Sequence, residues 1–121
     1  MSKHKHFEVQ RAGDVCVVHL IDPKLFDTLI VTELQDDLME LIDAEQPSKL
    51  VVNFASVTHC STAVINSLLR AKKKLLSMDG TLKLSGMSSS IREAYKMLNL
   101  DGTVFHIYDK PSDAIEAFKS E

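Results

Sequence analysis

Leu50-Val51-Val52-Asn53-Phe54-Ala55-Ser56-Val57-Thr58-His59-Cys60-Ser61-Thr62-Ala63-Val64-Ile65 is the stretch from which the rest of the chain is read. Leu50 to Phe54 is apolar apart from Asn53, which predicts a buried strand. A short loop follows, and Ser61 and Thr62 stand where a helix is expected to begin. A helix N-terminus offers unpaired amides and a partial positive charge of about half an elementary unit. A phosphoryl group placed there is stabilised by both. This corner is therefore expected to be a protein-docking surface carrying a phosphorylation switch.

Outward from that corner, apolar and polar residues alternate in a regular order. Phe7–Gln10 alternates as a short edge strand, Ala12-Gly13-Asp14 is turn chemistry, and Val15–Ile21 reads as a central strand, so the chain should open with a hairpin. His19, inside that strand, is expected to be structural, since no acid or nucleophile is spaced around it. Asp22-Pro23 ends the strand, because proline cannot donate to a ladder, and Lys24 to Thr28 is a connector. Ile30, Leu34, Leu38, Leu41 and Ile42 form a helical stripe that should stop before Pro47.

After Thr62 the helical pattern returns at Ile65, Leu68, Leu69, Leu75 and Leu76, with Arg70, Lys72, Lys73 and Lys74 toward its negative end. Gly80 is placed to take the left-handed conformation after it. Thr81–Met87 alternates as a strand. Ser90-Ile91-Arg92-Glu93 matches a capping box, and Ile91, Ala94, Tyr95 and Leu98 give the following helix one apolar side. Val104–Tyr108 is the last expected strand, and Pro111 suits the first turn of a last helix with Ala114, Ile115, Ala117 and Phe118 inward. The order ββαβαβαβα predicts a single α/β domain with a mostly parallel sheet of four to five strands and about four helices.

Composition narrows the function classes. The chain has 121 residues, enough for one domain, and 45% of them are hydrophobic. A formal net charge of -3 argues against nucleic-acid binding through phosphate contacts. No apolar run reaches the roughly 20 residues of a membrane span. The start, residues 1–6, is basic without an apolar core, so no secretory signal is expected and a disordered leader is. His4 and His6 within it could hold a metal, but a solvated tail is the expectation. Cys16 and Cys60 lack motif spacing, so a cytoplasmic protein with free thiols is expected.

Walker-type, dinucleotide, zinc-protease and hydrolase-elbow motifs are all absent from the sequence. His59 and Cys60 are adjacent, and adjacent residues rarely aim side chains at each other, so a Cys–His nucleophile is not expected. Binding without catalysis or a cofactor is the reading that remains.

Together the element order and the central corner resemble the STAS domain, the anti-sigma factor antagonist family, over about residues 7–119. That family typically reads Asp-Ser-Ser-Gly-Leu or Asp-Ser-Ala-Gly-Leu where this chain has Ser61-Thr62-Ala63-Val64-Ile65. Gly80–Met87, Ile91–Tyr95 and Leu98-Asn99-Leu100 are similar to its fourth strand and third helix. The resemblance implies a STAS domain over 7–121 and a phosphoacceptor at Thr62, with Ser61 as the alternative. Ser61 replaces the family's acid and Val64 its glycine. The partner it implies is an anti-sigma factor that is also a serine/threonine kinase with a GHKL-type ATP site. Val57, His59, Ser61, Thr62, Ala63 and Val64 are the expected contact residues. Three alternatives stay open: helix capping alone by Ser61 or Thr62, a non-phosphorylated scaffold subunit of a stressosome-like or transporter-associated complex, and a small-ligand or nucleotide-binding module. A homodimer through the edge strand is also open.

Overall fold

The computed structural model describes residues 4–120. The opening hairpin forms as expected: β1 (Phe7–Ala12) pairs antiparallel with β2 (Val15–Leu20). β2 then pairs parallel with β4 (Lys49–Asn53), β4 with β6 (Thr81–Ser85), and β6 with β7 (Ile107–Tyr108). The resulting five-stranded sheet has the order β1-β2-β4-β6-β7. Each parallel step needs a crossover, supplied by α1 (Thr28–Glu45), α2 (Thr62–Leu76) and α3 (Ser89–Met97), while α4 (Pro111–Lys119) closes the chain.

Period-2 alternation sorts the strand side chains onto the two faces. Cys16, Val18, Leu50, Val52, Leu82 and Leu84 join the core with Leu34, Leu38 and Leu41 of α1 and Ile65, Leu68 and Leu75 of α2. Val15, Val17 and Val51 point the other way, onto Ala114 and Phe118 of α4. On that face Lys83 is buried, and its ammonium lies 4.7 Å from the Phe118 ring centroid and 5.7 Å from that of Tyr108. A cation over aromatic faces keeps favourable electrostatics where water is excluded.

Several local expectations are corrected. Two additional strands, β3 (Lys24–Leu25) and β5 (His59–Cys60), form a small parallel sheet in what reads as connector and loop. The last strand covers only Ile107–Tyr108, because the amides of Val104 and Phe105 turn back to the carbonyl of Leu100. Asp79, not Gly80, takes the left-handed conformation, at φ 60°. Gly80 is required for space instead: a Cβ there would lie 2.9 Å from the Pro47 carbonyl oxygen. Ser88, not Ser90, caps α3, accepting from the Ile91 amide at 3.3 Å.

The leader expectation also changes. Residues 1–3 lie outside the described residues, but residues 4–6 are held. His6 is buried, with Nδ1 2.5 Å from Asp22 and Nε2 2.9 Å from Glu33. His4 stacks on Phe7 at 4.3 Å and bonds Asp37. With a carboxylate on each ring nitrogen, His6 is placed to bridge Asp22 and Glu33 when protonated, a form in which neither nitrogen has a lone pair for a metal. Burial pulls its pKa down, but the bonds to Glu33 and Asp22 and their charges outweigh that, and the net effect is a raised pKa.

Candidate functional site

The corner between β4 and α2 is held by backbone and short side chains. At the end of β4, Asn53 Oδ1 accepts from the Ala55 amide at 3.3 Å and from Ser85 Oγ at 3.2 Å. Asn53 Nδ2 donates to His19 Nδ1 at 2.9 Å, while His19 Nε2 donates to Gln10 at 2.7 Å. His19 is thus a structural bridge from the hairpin to the end of β4.

Beyond Asn53 the chain is stitched to the segment after β2. The amides of Thr58 and His59 both reach the Pro23 carbonyl, at 2.7 and 3.1 Å, and the Ser61 amide reaches that of Leu25 at 2.8 Å. These bonds, with the β3–β5 pairing, fix where α2 begins. They also bring Phe26 beside the corner: its ring is edge-on to His59 at 6.4 Å and 57% exposed. Leu29, in the first turn of α1, is 65% exposed.

Placement of the expected contact residues divides them. Thr62 and Ala63 are exposed in the first turn of α2, and His59 is exposed before it. Val57 and Val64 are corrected: at 3% and 1% exposure they belong to the core. The physical reason is period: Val64 begins the buried stripe of α2 that continues through Ile65 and Leu68. Ser61 occupies the N-cap with extended backbone, yet its hydroxyl makes no capping bond. Its oxygen is buried and finds no partner among the described residues.

Capping alone therefore does not describe this corner, since neither side chain caps the helix. The two residues differ in access: Thr62 is exposed, whereas the Ser61 hydroxyl oxygen is buried. His59 Nδ1 lies 3.0 Å from the Thr58 hydroxyl, and burial pushes the Cys60 thiol up to about 11. A thiol held protonated at neutral pH is a poor nucleophile.

Two grooves flank Phe26. One, of about 330 Å3, lies between the start of α2 and α3, against Ser61, Ile65, Ile91 and Tyr95. The other, of about 240 Å3, runs between α1 and α2 past Gln35, Ala63 and Asn66. Phe26 and Tyr95 were not singled out from sequence as site residues. A large aromatic in the short polar-flanked connector Lys24-Leu25-Phe26-Asp27 is the signal that marks the first. Tyr95 carried no such signal, because it fits the apolar stripe of α3. No helix among the described residues is long and apolar enough to cross a membrane.

Comparison with known proteins agrees with this architecture. No curated protein matches the sequence. An anti-sigma factor antagonist from Mycobacterium paratuberculosis superposes with TM-score 0.80 at 20% identity, over 93% of this chain and 92% of the other. An anti-sigma-factor antagonist (STAS) domain protein from Planctomyces limnophilus gives 0.80 at 18%, over 92% and 95%. The phosphorylated form of the Bacillus cell fate determinant SpoIIAA gives 0.69 at 16%, over 93% and 98%. At such identities these likenesses establish the fold alone. The family model for the STAS domain matches residues 6–114, nearly the whole chain, and the protein therefore belongs to the STAS domain family.

Proposed function

We propose that this chain is a regulatory docking protein of the anti-sigma factor antagonist type, switched by phosphorylation at Thr62. The observation that carries the reading is the exposure of Thr62 in the first turn of a 15-residue helix whose N-cap makes no side-chain capping bond. A phosphoryl group on Thr62 would add about -1.5 to -2 charges. The amide end of α2 favours that charge locally. A partner seated on the same surface does not, because the neighbouring contact offered by Phe26 is apolar.

The partner this reading implies is an anti-sigma factor that is also a serine/threonine kinase with a GHKL-type ATP site. It would grip Phe26, His59, Thr62 and Ala63 in the unmodified state and release them after phosphoryl transfer. Ser61 is the weaker acceptor candidate, because its oxygen is buried.

Affinity capture from native lysate tests the reading, with wild type compared against Thr62→Glu and Phe26→Ala. Wild type should retain a protein carrying a GHKL ATP-binding domain, and both variants should lose it. Incubation with that protein and ATP should add one phosphate, located at Thr62 by mass spectrometry. Undiminished capture by Thr62→Glu, or no phosphate at Thr62 in native material, would sink the switch and leave the scaffold alternative.

A further inference from the structure

We propose that residues 4–6 form a proton-operated latch, closed while the His6 ring carries both of its protons and opened when it loses one. The segment precedes β1 and ties α1 to the stretch that leaves β2. His6 Nδ1 lies 2.5 Å from Asp22, in that stretch, and Nε2 lies 2.9 Å from Glu33 of α1. His6 is 8% exposed, which leaves water little room to stand in for either carboxylate.

The device follows from the number of donors on the ring. A protonated imidazole has two N–H groups and can donate to both carboxylates, whereas a neutral one has a single N–H and a lone pair on the other nitrogen. Whichever tautomer forms, one carboxylate then faces that lone pair at hydrogen-bond distance. Two acceptors in contact repel, and a buried acceptor left without a donor costs free energy. A neutral His6 therefore cannot keep both bonds, and the latch loses one of its two anchors.

The surrounding charges act in the same direction. Asp22 and Glu33 touch the ring, and Asp36, Asp37 and Glu40 of α1 line the same groove of about 300 Å3. Lys5 is the other basic residue lining it, but its ammonium is 3.8 Å from Glu33 and its side chain is 75% exposed, so solvent screens it. Burial disfavours the charged ring, but the bonds and charges of Glu33 and Asp22 outweigh that, in keeping with the raised pKa of His6.

Two further contacts make the segment open as a unit. The His6 carbonyl accepts from the Ile21 amide at 3.1 Å, and His4 stacks on Phe7 at 4.3 Å with Nδ1 2.6 Å from Asp37. Opening withdraws His4, Lys5 and His6 from the acidic face of α1 and leaves Asp37 and Glu33 without those partners. Below the free value of 6.5 the latch is fully held. Between 6.5 and the higher folded value each pH unit raises the opening constant about tenfold, and above the folded value the constant levels off.

The latch stands apart from the phosphorylation reading, and its test needs neither kinase nor partner. The His6 ring of the purified full chain is followed by NMR from pH 5 to 10, with nitrogen shifts reporting protonation and ring-carbon relaxation reporting motion. His6 should titrate above 6.5, with its ring rigid below the midpoint and gaining fast internal motion above it. Exchange of the Ile21 amide, corrected for intrinsic rates, should quicken through the same midpoint. Asp22→Asn and Glu33→Gln each remove one anchoring charge, and each should move the midpoint down toward 6.5. The proposal is overturned if His6 titrates at or below 6.5, if its ring is equally rigid on both sides of its midpoint, or if either carboxylate variant leaves that midpoint unchanged.

Discussion

Two strand-to-helix corners lie side by side at the same end of the sheet, and they use serine in opposite ways. At the β6–α3 corner, Ser88 is the N-cap, with φ -65° and ψ 161°, and its hydroxyl accepts from the Ile91 amide. At the β4–α2 corner, Ser61 is the N-cap with nearly the same backbone, φ -81° and ψ 163°, and its hydroxyl accepts from no amide. Residue type and local conformation are equivalent, so the difference lies in the surroundings. The first corner is short and closed by its own side chains. The second is long, stitched to the carbonyls of Pro23 and Leu25, and leaves its serine hydroxyl without a partner among the described residues. A corner that leaves polar groups uncommitted is suited to a visitor, whereas one that satisfies them internally is suited to stability.

Gly86 is where the two corners touch, and changing it should give the largest effect. It has φ +74°, and a Cβ would lie 2.3 Å from Asn53 Oδ1 and 2.9 Å from the Ala55 amide nitrogen. Gly86→Ala therefore combines left-handed strain with a clash against the bond that turns the chain after β4. Its expected cost is about 3 kcal/mol in urea unfolding. Ser88→Ala comes next. Loss of a working serine cap costs about 1 kcal/mol, and the midpoint should fall without a change in the slope of the transition.

Much of this arrangement is legible in the amino-acid order, and the rest fails for identifiable reasons. The strands and helices follow from period, as Leu50–Phe54 and the stripe of α1 show. Ser88, Ser89 and Ser90 are three equivalent candidates for one cap, and only the packing of Ile91 and Tyr95 selects the first. β3 and β5 are two residues each, too short to carry an alternation. Val57 and Val64 border a polar corner and look available to a partner, but tertiary contacts with the core claim both. The exposure of Thr62 against the inward turn of Ser61 is invisible in sequence, because it depends on the stitching to Pro23 and Leu25.

That stitching makes the long corner sensitive to pH in a way the short one is not. Asp22 precedes Pro23 and is bonded to His6. The folded-state pKa of His6 is raised, so its contribution to stability is fully present below the unfolded value of about 6.5 and is lost as pH rises through the folded value. Glu33 shifts the opposite way, lowered first by its hydrogen bond to His6. Hydrogen exchange, corrected for intrinsic rates, should show the amides of Thr58 and Ser61 opening more readily above that range. The Ile91 amide should hold its protection. His6→Gln should remove the difference, and equal loosening of both corners would mean that the latch does not act through Asp22.

Ser61→Ala should give the smallest change, and it decides whether the two corners differ in solution. An ordinary N-cap serine loses about 1 kcal/mol on this substitution. At Ser61 there is no capping bond to lose, and the buried oxygen is an unpaired polar atom whose removal is neutral or favourable. Ser61→Ala is therefore expected to unfold within about 0.5 kcal/mol of wild type, or to be more stable. Ser88→Ala, measured alongside, supplies the scale on which that result is read. If both variants lose about 1 kcal/mol, the Ser61 hydroxyl turns back onto its own helix, and α2 begins with the same closed geometry as α3. If only Ser88→Ala does, the Ser61 hydroxyl caps nothing in solution, and the first turn of α2 stays open to a phosphoryl group on Thr62.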